Sequence, residues 1–252
     1  MLKTRIIPTL LYRDFGLVKG VRFDSRRAVG AAMQAVKVYN LRGVDELVFF
    51  DVTATIDARP PDLELIDDLA DDCFMPLTVG GGIREVDDIG HLLAVGADKV
   101  AIGTALVEDP ALIERAARQF GSQCIVGVID VRRDEVGGST VWTRSGTDDT
   151  SLDPMTVALD AQRLGAGELL LQSIDRDGTM TGYDIQLIRD ISSEVTIPVI
   201  ASGGAGSYEH MAEVIIHGGA AAVAAASIFH FTERTPMEAK EHLRSCGVPV
   251  RK

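Results

Sequence analysis

LTVGGGIREVDDIGHLLAVGADKVAIGT, residues Leu77 to Thr104, decides the fold. It reads as a short apolar strand, a glycine turn (Gly80, Gly81, Gly82), an amphipathic helix, a Gly-Ala-Asp turn and a second strand. Residues Val199 to Ser227, VIASGGAGSYEHMAEVIIHGGAAAVAAAS, repeat the pattern. Gly81 lies 122 residues before Gly203, and Gly96 lies 122 before Gly218. A glycine turn between strand and helix leaves backbone N–H groups bare, which suits a phosphate. Two copies half a chain apart point to two such sites on a duplicated scaffold.

Outward from this stretch, short apolar runs alternate with helical patterns. Strands are expected at Arg5–Leu10, Glu46–Asp51, Leu77–Val79, Lys99–Ile102, Cys124–Asp130, Glu168–Ser173, Pro198–Ala201 and Ala221–Ala225. Helices are expected near 32–42, 61–71, 85–95, 110–119, 155–164, 184–193, 207–217 and 236–245. The strands are nearly continuous apolar runs, as strands buried on both faces require. Eight strand–helix units in this length predict an α/β fold: a single (β/α)8 TIM barrel with a two-fold half-barrel repeat, occupying residues 1–252 as one domain. A doubly wound open sheet usually has fewer strands and no half-chain repeat. Two segments break the rhythm. Leu11–Ala31 reads as a long polar loop carrying Lys19, Arg22, Arg26 and Arg27. Val131–Gly146 reads as a hairpin insertion around Gly137-Gly138. Both follow strand carboxyl ends, where barrel active sites are built.

The chain has 252 residues, is 46% hydrophobic and 25% charged, and carries a net charge of −12. That charge argues against nucleic acid or an anionic membrane as partner. Any anionic substrate must be gripped locally. Cys73, Cys124 and Cys246 are too few and too scattered for a disulfide framework or a zinc motif. With neither a membrane-length apolar run nor a signal peptide, the expected location is cytoplasmic.

Carboxylates gather at predicted strand ends: Asp51, Asp130, Asp175 and Asp177. Such groups serve as acids or bases, or hold sugar hydroxyls; they also cap helices and fill turns. Arg5, Glu46, Lys99 and Glu168 stand at strand starts and so ring the opposite opening, two positive and two negative. The residues alone favour a salt-bridged plug there over a gate on a passage through the barrel. The five histidines form no metal set, no cofactor motif appears, and no nucleophilic Ser or Cys context is present. Phe23 and Trp142 are candidates to shape the mouth of the site.

Over essentially its whole length the chain resembles the cyclase subunit of imidazole glycerol phosphate synthase. The resemblance is carried by Arg5-Ile-Ile-Pro8, Val18-Lys-Gly20, Asp45-Glu-Leu-Val48, Val79-Gly-Gly-Gly-Ile83, Gly96-Ala-Asp-Lys-Val100, Phe120-Gly-Ser-Gln123, Ser173-Ile-Asp-Arg-Asp-Gly178, Ala201-Ser-Gly-Gly-Ala-Gly206 and Phe229-His-Phe231. It implies a heterodimer in which a glutaminase subunit docks on the bottom face and ammonia rises through the barrel. At the top, ammonia meets a small-molecule substrate with a phosphate at each end. It also implies roles: Arg5, Glu46, Lys99 and Glu168 as the ammonia gate, and Asp98 and Gln123 as glutaminase contacts. Asp130 and Asp177 are then catalytic. Lys19, Asp51, Gly81, Gly82, Thr104, Asp175, Gly178, Gly203, Gly204, Ala226 and Ser227 are then substrate or phosphate contacts. No cofactor and no metal are implied.

One position departs from the family pattern. Leu11 stands where the principal acid/base aspartate belongs, and by the repeat it is the partner of Asp130. Gly103 and Ala31 also differ from the usual asparagine and aspartate. Leucine moves no proton, and loss of a general acid or base costs about 10²–10⁴ in rate. The segment Leu10-Leu11-Tyr12-Arg13-Asp14-Phe15-Gly16-Leu17-Val18-Lys19 resembles a second-copy branch of the family associated with amidation of surface-polysaccharide sugars. The first expectation is therefore an ammonia-channelling synthase subunit acting in glycan amidation. The alternatives are a true imidazole glycerol phosphate cyclase, and a non-catalytic ligand-binding activator of the glutaminase.

Overall fold

The structure, a computed structural model, describes residues 3–14, 16–134 and 137–251. Phe15 of the first long segment and Glu135 and Val136 of the expected hairpin lie outside the described residues. The chain runs β1 (Arg5–Arg13), β2 (Gly16–Val21), β3 (Asp24–Gly30), α1 (Ala32–Leu41), β4 (Leu47–Asp51), α2 (Leu63–Asp72), β5 (Leu77–Gly80) and α3 (Val86–Ala94). It continues with β6 (Lys99–Ile102), α4 (Thr104–Glu108), α5 (Ala111–Phe120), β7 (Ile125–Arg133), β8 (Ser139–Thr143), β9 (Asp148–Asp149) and α6 (Pro154–Leu164). The last elements are β10 (Glu168–Ser173), α7 (Ile185–Glu194), β11 (Val199–Ser202), α8 (Tyr208–Gly218), β12 (Ala222–Ala225), α9 (Ser227–Phe231) and α10 (Pro236–Ser245).

Strands β1, β4, β5, β6, β7, β10, β11 and β12 pair in parallel in that order, and β12 pairs back onto β1, closing an eight-stranded barrel. This is the expected (β/α)8 architecture. Two apolar layers hold it, as strands buried on both faces demand. Ile7, Val48, Ala101, Val126, Leu170, Ile200, Ala222 and Ala224 fill the barrel interior. Ile6, Leu10, Leu47, Phe49, Val100, Ile129 and Val223 point outward into the larger core beneath the helices.

The half-chain repeat is visible in local structure. Asp62 and Asp184, 122 residues apart, cap α2 and α7 by accepting from the backbone N–H of Leu65 and Leu187. Strands β5 and β11, and the starts of α3 and α8, keep the same offset. Beyond the helix it becomes 123: β6 and β12, and α4 and α9, are displaced by one more residue. The extra residue sits at the end of α8, where Gly218 stays helical and Gly219 (φ 74°) takes the left-handed cap. The pair expected at Gly96 and Gly218 is thus shifted by one: Gly219 does the job of Gly96 (φ 106°). Glycine is favoured at both because a Cβ is strained at positive φ.

Leu11–Ala31 is not a loop. It continues β1 and then folds into the antiparallel pair β2–β3. Arg22 (φ 54°) and Phe23 (φ 64°) make the two-residue turn, both left-handed. Such turns usually advertise themselves with Asn-Gly or Asp-Gly, and neither is present. The hairpin expected after β7 forms: Asp130 pairs Trp142 and Arg133 pairs Ser139. At the floor, Lys240 of α10 donates to Asp45 Oδ1 and to the Gly43 carbonyl, both at 2.8 Å, while Asp45 Oδ2 accepts from Ile6 N at 3.0 Å. This buried clasp ties the last helix to the first strand.

Candidate active site

One pocket opens at the carboxyl ends of the barrel strands, and both glycine turns line it. Gly81 (φ 111°) and Gly82 (φ 76°) follow β5; Gly203 (φ 90°) and Gly204 (φ 106°) follow β11. A Cβ on Gly81 would stand 2.3 Å from the Asp51 carbonyl, and one on Gly204 would stand 2.1 Å from the Gly182 carbonyl. Conformation and space therefore both require glycine. Each turn is joined at the pocket wall by the next strand end: Gly103 and Thr104 for the first, Ala226 and Ser227 for the second. The hydroxyls of the two grips differ in their partners. Thr104 Oγ1 accepts a hydrogen bond from Arg144 N at 3.0 Å, whereas Ser227 Oγ, in a residue 5% exposed, has no partner among the described residues. A buried hydroxyl without a partner is costly, and an anion in the second grip would satisfy it.

The carboxylates divide. Asp130 and Asp177 line the pocket together. Burial, aided by the negative charge of Asp177, pushes the Asp130 carboxyl up to about 7, and no described side chain hydrogen-bonds to it. A carboxyl poised near neutrality both gives and takes protons. Asp177 accepts from Lys19 Nζ at 2.6 Å, an ion pair with both side chains buried. Asp51 also lines the pocket, yet its oxygens are occupied: they accept from Thr53 N, Thr53 Oγ1, Ala54 N and the Arg59 guanidinium, at 2.9 to 3.1 Å. Asp175 is outside the pocket lining and accepts from Arg133 N at 2.8 Å, anchoring the β7–β8 hairpin. Asp175 thus holds the hairpin outside the pocket, whereas Asp51 holds its own turn and still borders the pocket.

The β2–β3 hairpin lies across the mouth. Arg22 N donates to the Asp177 carbonyl at 2.9 Å, and a Cβ on Gly178 (φ 71°) would stand 2.1 Å from the Gly20 carbonyl. Phe23 lines the pocket, but Trp142 does not; its ring lies under the Arg132 guanidinium. Arg26 also lines the pocket, and burial holds its guanidinium below the ordinary value while Asp177 opposes that fall.

Leu11 stands opposite Asp130 in the repeat. Leu11 pairs Phe50 between β1 and β4, as Asp130 pairs Gln172 between β7 and β10. Leu11 lines the pocket, so the wall is carboxylate on one half and aliphatic on the other. Thr9, Phe50, Gln172, Ser145 and Ser202 are among the lining residues that were not expected. The signal available for Thr9 and Phe50 was strand alternation, Thr9 lying two residues from Leu11 and Phe50 two from the inward Val48.

At the opposite opening the four charged residues meet. Arg5 Nη1 is 2.7 Å from Glu46 and 3.1 Å from Glu168; Lys99 Nζ is 3.0 Å from Glu46 and 3.3 Å from Glu168. Thr78 Oγ1 donates to Glu46 at 2.8 Å. Burial works against the charge on Arg5, but Glu46 and Glu168 together outweigh it and hold its pKa above the ordinary value. The ring alternates in sign and closes the barrel floor. Beside it Asp98 is exposed, accepting from Leu77 N at 2.8 Å, and Gln123 is exposed, donating to the Phe120 carbonyl at 3.1 Å. Among the described residues no group of three His, Cys, Asp or Glu could hold a metal, and no helix is long and apolar enough to cross a membrane.

Fold and site define a class: two-fold repeated barrels with an anion-compatible glycine turn on each half and an ion-pair ring at the floor. The profile of the family described as histidine biosynthesis protein matches residues 5–235. The imidazole glycerol phosphate synthase subunit HisF of Caulobacter vibrioides (strain NA1000 / CB15N) is 49% identical over 252 residues, 100% of this chain and 97% of the relative. That of Hyphomonas neptunium is 50% identical over 252 residues, 100% of this chain and 99% of the relative. The chain belongs to the histidine biosynthesis protein family, among its HisF subunits.

Proposed function

We propose that the chain is the cyclase subunit of an imidazole glycerol phosphate synthase, working as one barrel domain in the cytoplasm. Its partner is a HisH-like glutaminase docked over Asp98 and Gln123. Ammonia enters past Arg5, Glu46, Lys99 and Glu168 and reacts at the pocket with a substrate phosphorylated at both ends. Gly81, Gly82 and Thr104 hold one phosphate; Gly203, Gly204, Ala226 and Ser227 hold the other. Asp130, with its carboxyl near neutrality, exchanges protons with the reacting atoms, and Asp177 places Lys19 at the rim. The observation that carries this reading is the pairing of two glycine turns on one pocket in a chain aligned end to end with HisF subunits. Glycan amidation, the first expectation from the Leu10–Lys19 segment, gains nothing from those relatives.

Leu11 favours a second reading. With no carboxylate facing Asp130, the pocket suits an ammonia acceptor that needs one acid/base group, such as a sugar to be amidated. Purified chain supplied with ammonium and the doubly phosphorylated substrate of imidazole glycerol phosphate synthase separates the two. Imidazole glycerol phosphate from the unsubstituted chain supports the first. Product only after Leu11→Asp supports the second.

A further inference from the structure

Strand β1 carries its inward side chains in a column through the barrel. Arg5 belongs to the ion-pair ring, Ile7 to the aliphatic layer, Thr9 to the pocket floor and Leu11 to the pocket wall. Four residues of strand, about 13 Å, separate ring from floor. Across the barrel, β7 supplies Val128 and Asp130 at the positions that the repeat equates with Thr9 and Leu11. Polarity is staggered: hydroxyl below leucine on one half, valine below carboxyl on the other.

The Thr9 hydroxyl has no structural explanation. The residue is 7% exposed, and its Oγ1 has no hydrogen-bond partner among the described residues. Valine has the same shape without the desolvation cost, and the equivalent position already uses it. Thr9 lines the pocket just above the aliphatic layer, so its buried hydroxyl stands at the height where a small molecule rising through the barrel would enter the pocket.

We propose that Thr9 Oγ1 receives ammonia as it leaves the barrel interior; this rests on the ammonia-dependent reading above. A neutral hydroxyl accepts an N–H from ammonia without protonating it, so the nitrogen lone pair stays directed at the acceptor. A carboxylate at that height would instead favour ammonium, which has no lone pair to give. Leu11, immediately above, keeps the exit free of a second acid.

The test uses Thr9→Val and Thr9→Ser in the purified chain, with ammonium as nitrogen donor and the doubly phosphorylated substrate. Thr9→Val is expected to raise KM for ammonia about tenfold, the weight of one hydrogen bond, leaving KM for the phosphorylated substrate unchanged. Thr9→Ser restores the ammonia KM to within about twofold. Thr9→Val also raises the unfolding midpoint of the ligand-free chain. An unchanged ammonia KM, a rise confined to the phosphorylated substrate, or a lowered midpoint overturns the assignment while the function stands. No product from the unsubstituted chain at any ammonium concentration overturns both.

Discussion

Replacing Asp130 by asparagine removes one proton site and little volume, so its effect on stability is worked directly from the site. The folded carboxyl titrates near 7 against an ordinary value of 3.8. At 1.36 kcal/mol per decade that corresponds to about 4 kcal/mol. Asp130 faces an open pocket where water screens the charge, which lowers the expected figure to about 2 kcal/mol. The folded state binds the proton more tightly than the unfolded chain. Stability from this group is therefore complete below about pH 4, falls as pH rises toward 7, and is level above that. The asparagine variant has no such slope. Paired urea denaturations at about pH 4.5, 6 and 8 should show the advantage of Asp130→Asn growing by about 2 kcal/mol across the series. Parallel curves, or an advantage that shrinks with rising pH, refute the claim that this carboxyl is held near neutrality. In turnover assays the same variant should lose about 10²–10⁴ in kcat.

Leu11→Asp restores a carboxylate facing Asp130 and is expected to raise imidazole glycerol phosphate formation by about 10² or more, read by product chromatography. Lys99→Met leaves Glu46 and Glu168 with one cation fewer, and thermal unfolding should show a loss of about 3 kcal/mol. In the glutaminase complex it should also lower the product formed per glutamine hydrolysed. Gly204→Ala meets both a positive φ and the Gly182 carbonyl, so a loss of about 2–4 kcal/mol is expected in the same assay.

The barrel was legible because strands buried on both faces cannot disguise themselves: Leu77–Gly80 and Val199–Ser202 are short, largely apolar runs that lead into the glycine turns Gly81-Gly82 and Gly203-Gly204. The ring was legible because charges at strand starts are rare enough to notice, although their mutual contact needed coordinates. The β2–β3 hairpin was hidden because Arg22 and Phe23 are unusual residues for its turn. Five-residue α4 and α9 are too short to show a helical period. Asp177 and Asp175 illustrate a limit of position alone: two carboxylates of one strand-end loop look the same in sequence, yet the first lines the pocket and the second holds the β7–β8 hairpin. The unpartnered hydroxyl of Thr9 leaves no mark in a string of strand residues.

The most direct test of the central claim uses glutamine labelled with ¹⁵N in its amide, the chain in complex with its glutaminase, and excess unlabelled ammonium. Passage through the ring predicts that the product nitrogen stays enriched in ¹⁵N despite the competing pool. Label diluted to the level of the bulk ammonium would contradict it.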